Sequence, residues 1–171
     1  MPSKQLKPLE DIVREVGRYP FEAYLFVQEA IGLAAEKVHG PMSTDQRVVA
    51  TWMSKNDITP EDLLQRFDTG NLPEEIVEAV DRLGGATNLN RHVTGQELCW
   101  GIRDIALERW GLMARGVLAR WNIHSTEDLG AIVFALVENQ WLAKQPTDRI
   151  EDFRNVYHFV EVFDRQYQIG R

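Results

Sequence analysis

The chain has 171 residues, of which 44% are hydrophobic, 26% charged and 9% aromatic, with a formal net charge of −7. This globular composition excludes a collagen-like, disordered or disulfide-stapled protein. No apolar run reaches the roughly 18–20 residues of a membrane-spanning helix, and the opening MPSKQLKPLEDIV lacks an apolar leader core, so a cytoplasmic protein is expected.

Start and stop signals predict a succession of short helices. Pro8 opens LEDIVREV, which Gly17 ends, and Pro20 precedes FEAYLFVQEAIGLAAEKV. In that helix Phe21, Leu25, Gln28, Ile31, Ala35 and Val38 fall near one stripe. Phe26, Val27, Ala30 and Leu33 add apolar surface, which predicts burial over most of its girth. Glu22, Glu29 and Glu36 mark its polar edge, and His39-Gly40-Pro41 stops it. Ser43 to Gln46 reads as a capping box before RVVATWM. Thr59-Pro60-Glu61-Asp62 starts LLQRF, and Pro73 starts EEIVEAVDRL, which Gly84-Gly85 stops. Thr94 to Glu97 is a second capping box, opening ELCWGIRDIALERW up to Gly111. MARGVLARW follows, then Ser125 to Asp128 caps LGAIVFALVEN, and Thr147 or Asp148 caps a segment through Phe153. Only QWLAK and VYHFVEVF show strand-like alternation.

Segments recur in order. AYLFVQEAIGLAAEKV is echoed by GQELCWGIRDIALERW 72 positions later, Val48–Trp52 by Val117–Trp121 after 69, and ITPEDL by HSTEDL after 66. The expectation is a single mainly α-helical domain over 1–171, made of two loosely repeated helix-turn-helix units. The first covers 1–85 and the second 86–171, with the seam at GGATNLNR. The stretches RYPFEAYLFVQEAI, RHVTGQEL with GIRDIALERWGLMA, and STEDLGAIVFALVE with IEDFR resemble the hallmark segments of a family of conserved hypothetical bacterial proteins. That family is described as repeat-containing. The resemblance covers most of the chain outside 41–85. It implies a bacterial cytoplasmic protein and carries over no activity and no catalytic residue.

The second unit is also similar to a winged helix-turn-helix. Leu118–Trp121 would end the first helix, Asn122–Ser125 form the turn and Thr126–Glu138 the second helix, with Trp141–Lys144 as a wing strand of a short β-hairpin. The reading helix would offer Glu127, Asp128, Glu138 and Asn139, and no basic residue, whereas base edges and phosphates call for Arg, Lys, Asn or Gln. Charge points the same way. Residues 1–85 carry 9 basic and 15 acidic groups, and 86–171 carry 10 and 11. A nucleic-acid interface would have to be assembled from Arg109, Arg115 and Arg120.

Catalytic patterns are absent. There is no phosphate-binding glycine loop, GxSxG, HExxH or CxxC. Cys99, the single cysteine, lies among apolar neighbours as a buried thiol would. Glu29, Glu36, His39, Glu97, Asp104 and Glu108 could form a carboxylate metal site if their two helices faced each other. One Glu-x-x-His pair, Glu36 with His39, is present where such a site needs two. The densest polar group is His92, Glu97 and Arg103 with Asp104, in which His92 could serve as a base or ligand and Arg103 as an anion clamp. Cap chemistry accounts for Thr94 and Glu97. Of five tryptophans, Trp52 and Trp121 occupy equivalent repeat positions and read as core, whereas Trp141 and the tail DFRNVYHFVEVFDRQYQIG read as surplus aromatic surface. The reading is a non-catalytic protein–protein interaction module with a protein partner or a second copy, no membrane and no cofactor. Its binding residues would be His92, Glu97, Arg103, Trp141, Tyr157 and Phe159, with an exposed aromatic patch that includes Phe163. The alternatives are a nucleic-acid-binding regulator and a carboxylate/His metal enzyme.

Overall fold

A computed structural model describes residues 6–142 and 147–165. The protein is mainly helical, with eight α-helices and no strand among the described residues. They are α1 (Leu9–Val16), α2 (Phe21–His39), α3 (Thr44–Asn56), α4 (Pro60–Asp68), α5 (Glu74–Arg82), α6 (Gly95–Trp110), α7 (Ala114–Arg120) and α8 (Thr126–Glu138). Short 3-10 turns occupy Ala86–Leu89, Gly111–Met113 and Ile150–Phe153, and a π-helical turn covers Val160–Arg165.

The boundaries follow local chemistry. Gly17 takes the left-handed conformation, φ 67°, that lets the chain leave α1 without a side-chain clash. Ser43 and Gln46, Thr59 and Asp62, and Thr94 and Glu97 form reciprocal capping boxes at α3, α4 and α6. Each satisfies amide groups that a helix start leaves without intrahelical partners. The segment before Phe153 starts one or two residues later than its sequence suggests. Arg149 precedes the turn, and its amide donates to the Asp152 carboxylate at 3.0 Å.

The chain divides into two compact units. One is 39–92; the other holds the remaining described residues, 6–38 and 93–165. The seams are therefore 38/39 and 92/93 rather than the loop at 84–91, and α1 and α2 group with the second half of the chain. Packing explains this: α1 meets α8, Ala34 on α2 faces Gly101 on α6, and Lys37 pairs with Asp104 at 2.8 Å.

The 39–92 unit packs α3 against α5 around Val49, Leu63, Ile76, Ala79 and Val80, with Trp52, Met53 and Phe67 beside them. Its two ends are tied together. The His39 ring Nε2 lies 2.7 Å from the His92 carbonyl, and Arg91 donates to the Gly40 carbonyl at 2.5 Å.

The larger unit has its own core. Ile12, Tyr24, Val27, Ile102, Leu118, Ile123, Leu129, Ile132 and Leu136 are fully enclosed. Each aliphatic side chain so buried contributes about 1.5–3 kcal/mol. Phe26, Trp110 and Trp121 form an aromatic trio with centroids 5.1–5.6 Å apart. Phe153 is seated between α6 and α8 where both carry glycine. A Cβ on Gly95 would lie 2.9 Å from its ring, and one on Gly130 would lie 2.7 Å from its Cβ.

Two expectations change here. Helix α2 is not buried over most of its girth. It turns the small Ala23, Ala30 and Ala34 inward with Tyr24, Phe26 and Val27, and leaves Leu25, Leu33 and Val38 exposed. Small residues allow close approach to α6, so the larger leucines stay outside. VYHFVEVF forms no strand: Phe159, Val162 and Phe163, at i, i+3 and i+4, are buried together, a helical period rather than an alternating one. The expected wing strand runs out of the described residues after Leu142. Among the described residues no helix is long and apolar enough to cross a membrane.

Candidate functional site

The residues singled out from sequence are held mostly in structural roles. Thr94 Oγ1 accepts the Glu97 amide at 3.1 Å, and the Glu97 carboxylate accepts the Thr94 amide at 3.1 Å. Arg103 places its guanidinium 4.8 Å from the Trp100 ring centroid, and its Nε donates to Asp104 at 2.8 Å. Burial opposes the charge on Asp104, but the hydrogen bonds from Lys37 and Arg103 outweigh it and hold the carboxyl below its usual range. His92 closes the 39–92 unit, whereas Glu97 and Arg103 belong to the other unit.

The aromatic rings of the described part of the tail are core rather than surface. Tyr157, Phe159 and Phe163 are 8%, 6% and 1% exposed, and their rings stack on one another. The Tyr157 hydroxyl donates to the Cys99 carbonyl at 2.8 Å. An amphipathic turn at 159–163 fits these rings against the body of its own unit, so they form no exposed patch. Trp141 is half-buried, with its indole N–H donating to the Lys7 carbonyl at 2.9 Å.

The three arginines do not form one free basic face. Arg109 is paired with Glu29, Arg115 with Asp164 at 2.7 Å, and only Arg120 stands without an ion pair. Helix α8 buries Thr126, Asp128, Leu129, Ile132, Val133 and Leu136, and its exposed polar residues include Glu127 and Glu138. That surface repels phosphate.

The carboxylates proposed for a metal are dispersed. The Arg109 hydrogen bond holds the Glu29 carboxyl below its usual range, Asp104 is paired with Lys37 and Arg103, and Glu97 serves the α6 cap. The His39 ring is engaged at the His92 carbonyl. Among the described residues no group of three His, Cys, Asp or Glu could hold a metal ion. Cys99 is buried, and burial pushes its thiol up to about 12.

Among the described residues, the surface depressions include two on the larger unit. One, about 410 Å³, lies between the end of α2 and the start of α6, with Lys37, Glu97, Trp100 and Asp104 on its walls. Its polar groups already serve one another: Lys37 bonds Asp104, and Glu97 bonds Thr94. The other, about 510 Å³, runs along α7, with Leu112 and Met113 at its mouth and Gly116, Arg115, Arg120 and Asp164 around it. Leu112 is 55% exposed and Met113 72%. Val160, on the turn that packs on α7, is exposed too.

Sequence reasoning missed this groove. Its signal is MARGVLARW, where Gly111 stops α6 and Leu112-Met113 then sit in a 3-10 turn that buries none of its residues. No family model, no curated protein and no solved structure matches the chain.

Proposed function

We propose that the protein is a non-catalytic protein–protein interaction module whose docking surface is the groove along α7. The observation that carries this is the exposure of Leu112 and Met113 over an apolar depression of about 510 Å³ edged by Arg115, Arg120 and Asp164. An apolar centre with a charged rim is the anatomy of a protein interface, and Met adapts to varied partner surfaces. Of the groups weighed for chemistry, Glu29 and Asp104 are engaged in ion pairs and Glu97 in a helix cap, which supports a binding role. Gly116 and Ala119, small and exposed in the lining, leave room for a helix or extended segment to lie against α7.

The test is site-specific photo-crosslinking in cells with a photoreactive residue in place of Met113, and a control at Glu61 on the other unit. A discrete protein adduct at Met113 that is absent at Glu61, and lost when Arg120→Glu is added, is the expected result. Adducts equal at both positions, or none at Met113, would overturn the reading.

A further inference from the structure

We propose that the occupant of this groove is the outer face of α2 from a second copy of the chain, so that molecules associate head to tail. The inference rests on the groove being a protein-docking surface. The α2 face presents Leu25 and Leu33, 45% and 37% exposed. They are eight residues apart, or about 12 Å along the axis. Between them lie Gly32, where a Cβ would meet nothing within 4 Å, and Glu29, whose carboxylate is already neutralised by Arg109. Glu22 and Glu36 flank this stripe, exposed and without an ion-pair partner. The groove supplies the complement: exposed Leu112 and Met113, small Gly116 and Ala119, and the unpaired guanidinium of Arg120.

Charge selects the register. The whole chain carries −7, so two copies repel over most orientations. Bringing the carboxylates of α2 to Arg120 turns that repulsion into attraction at one place, since Arg115 is already paired with Asp164. A mixed helical face with exposed leucines laid into an apolar groove is an ordinary recognition mode. Both patches lie on the larger unit, and they are different patches. Contact is therefore heterologous, and each copy keeps one face free to continue a ring or an open chain.

Sedimentation of the full chain over a wide concentration range tests this. The wild type is expected to grow past dimer as concentration rises, with high salt reducing the growth. Leu25→Glu and Met113→Glu are each expected to be monomeric, and their equimolar mixture to stop at a one-to-one dimer, since one intact groove meets one intact α2 face. Circular dichroism checks that each variant folds. Should either fail to fold, Arg120→Glu is expected to weaken assembly about tenfold, with Glu36→Lys on the other copy restoring it. A wild type that stays monomeric throughout, a dimer that never grows, or a mixture of the two variants that remains monomeric would overturn the proposal. A monomeric wild type that still crosslinks to a different protein through Met113 would leave the docking groove standing and remove only the second copy as its occupant.

Discussion

The Tyr19 hydroxyl donates a 2.5 Å hydrogen bond to the Asp128 carboxylate, joining the link between α1 and α2 to the first turn of α8 across 109 positions. The same carboxylate accepts the amides of His124 at 2.8 Å and Ser125 at 3.2 Å, and the Arg18 guanidinium at 3.1 Å. One nearly buried acid therefore caps a helix and fastens a distant linker. Asp128→Ala removes the cap and strands a buried hydroxyl. The expected cost is about 2–4 kcal/mol, read as a lower urea midpoint. A loss below about 0.5 kcal/mol, the size of an ordinary surface change, would show that the bond carries little.

Alkaline pH should destabilise the fold. Burial, then the bond to Asp128, raises the ionisation of Tyr19 far above the usual phenol range. Burial alone raises that of Tyr24, and burial is the main cause of the large rise at Tyr157. Above about pH 10 the unfolded phenols lose protons while the folded ones keep them. The unfolded state then binds fewer protons, so stability falls as pH rises beyond that point. Urea midpoints measured at neutral pH and above pH 10 should decline, and less so in Tyr157→Phe. Equal declines in both proteins would remove Tyr157 from the account.

Gly130→Ala should be costly although alanine is the better helix former. The added Cβ would come within 2.7 Å of Phe153, whose ring is also held by Gly95. Overpacking of this kind costs about 1–3 kcal/mol. Combining it with Phe153→Gly should cost less than the sum of the two single changes, because the Cβ and Cγ atoms that the new methyl would strike at 2.7 and 2.8 Å are then gone. Simple additivity in chemical denaturation would contradict the packing argument.

Two tyrosines invite opposite outcomes. The Tyr24 hydroxyl is buried with no hydrogen-bond partner, whereas that of Tyr157 bonds the Cys99 carbonyl. Tyr24→Phe should leave stability unchanged or raise it. Tyr157→Phe should lower it by about 1 kcal/mol, since the carbonyl loses its donor. The reverse order in thermal or urea unfolding would reassign both hydroxyls.

The helices were legible because their ends carry explicit chemistry. Ser43 with Gln46, Thr59 with Asp62 and Thr94 with Glu97 announce their caps in sequence, and the structure forms all three. Which helices share a core was not legible, since this depends on side-chain size across distant elements. Ala34 opposite Gly101 draws α2 toward α6, and nothing local records that pairing. The tail misled for a related reason. Tyr157, Phe159 and Phe163 read as exposed interface residues until Cys99 and its helix receive them. The groove escaped notice because Leu112 and Met113 look like any apolar pair between two helices. Only burial separates them from core.

The tied ends of 39–92 have a consequence for how this chain can vary. The His39 ring sits at the His92 carbonyl, and Arg91 reaches the Gly40 carbonyl, so the segment leaves and returns at nearly one point. A segment whose termini already meet can lengthen, shorten or be exchanged for another while the gap its flanks must span stays the same, and doubling a flexible loop between fixed ends costs only about 0.6 kcal/mol. Natural variation in length should therefore accumulate between Gly40 and Arg91, and a reporter domain spliced into that interval should leave the core around Ile102 and Leu129 intact.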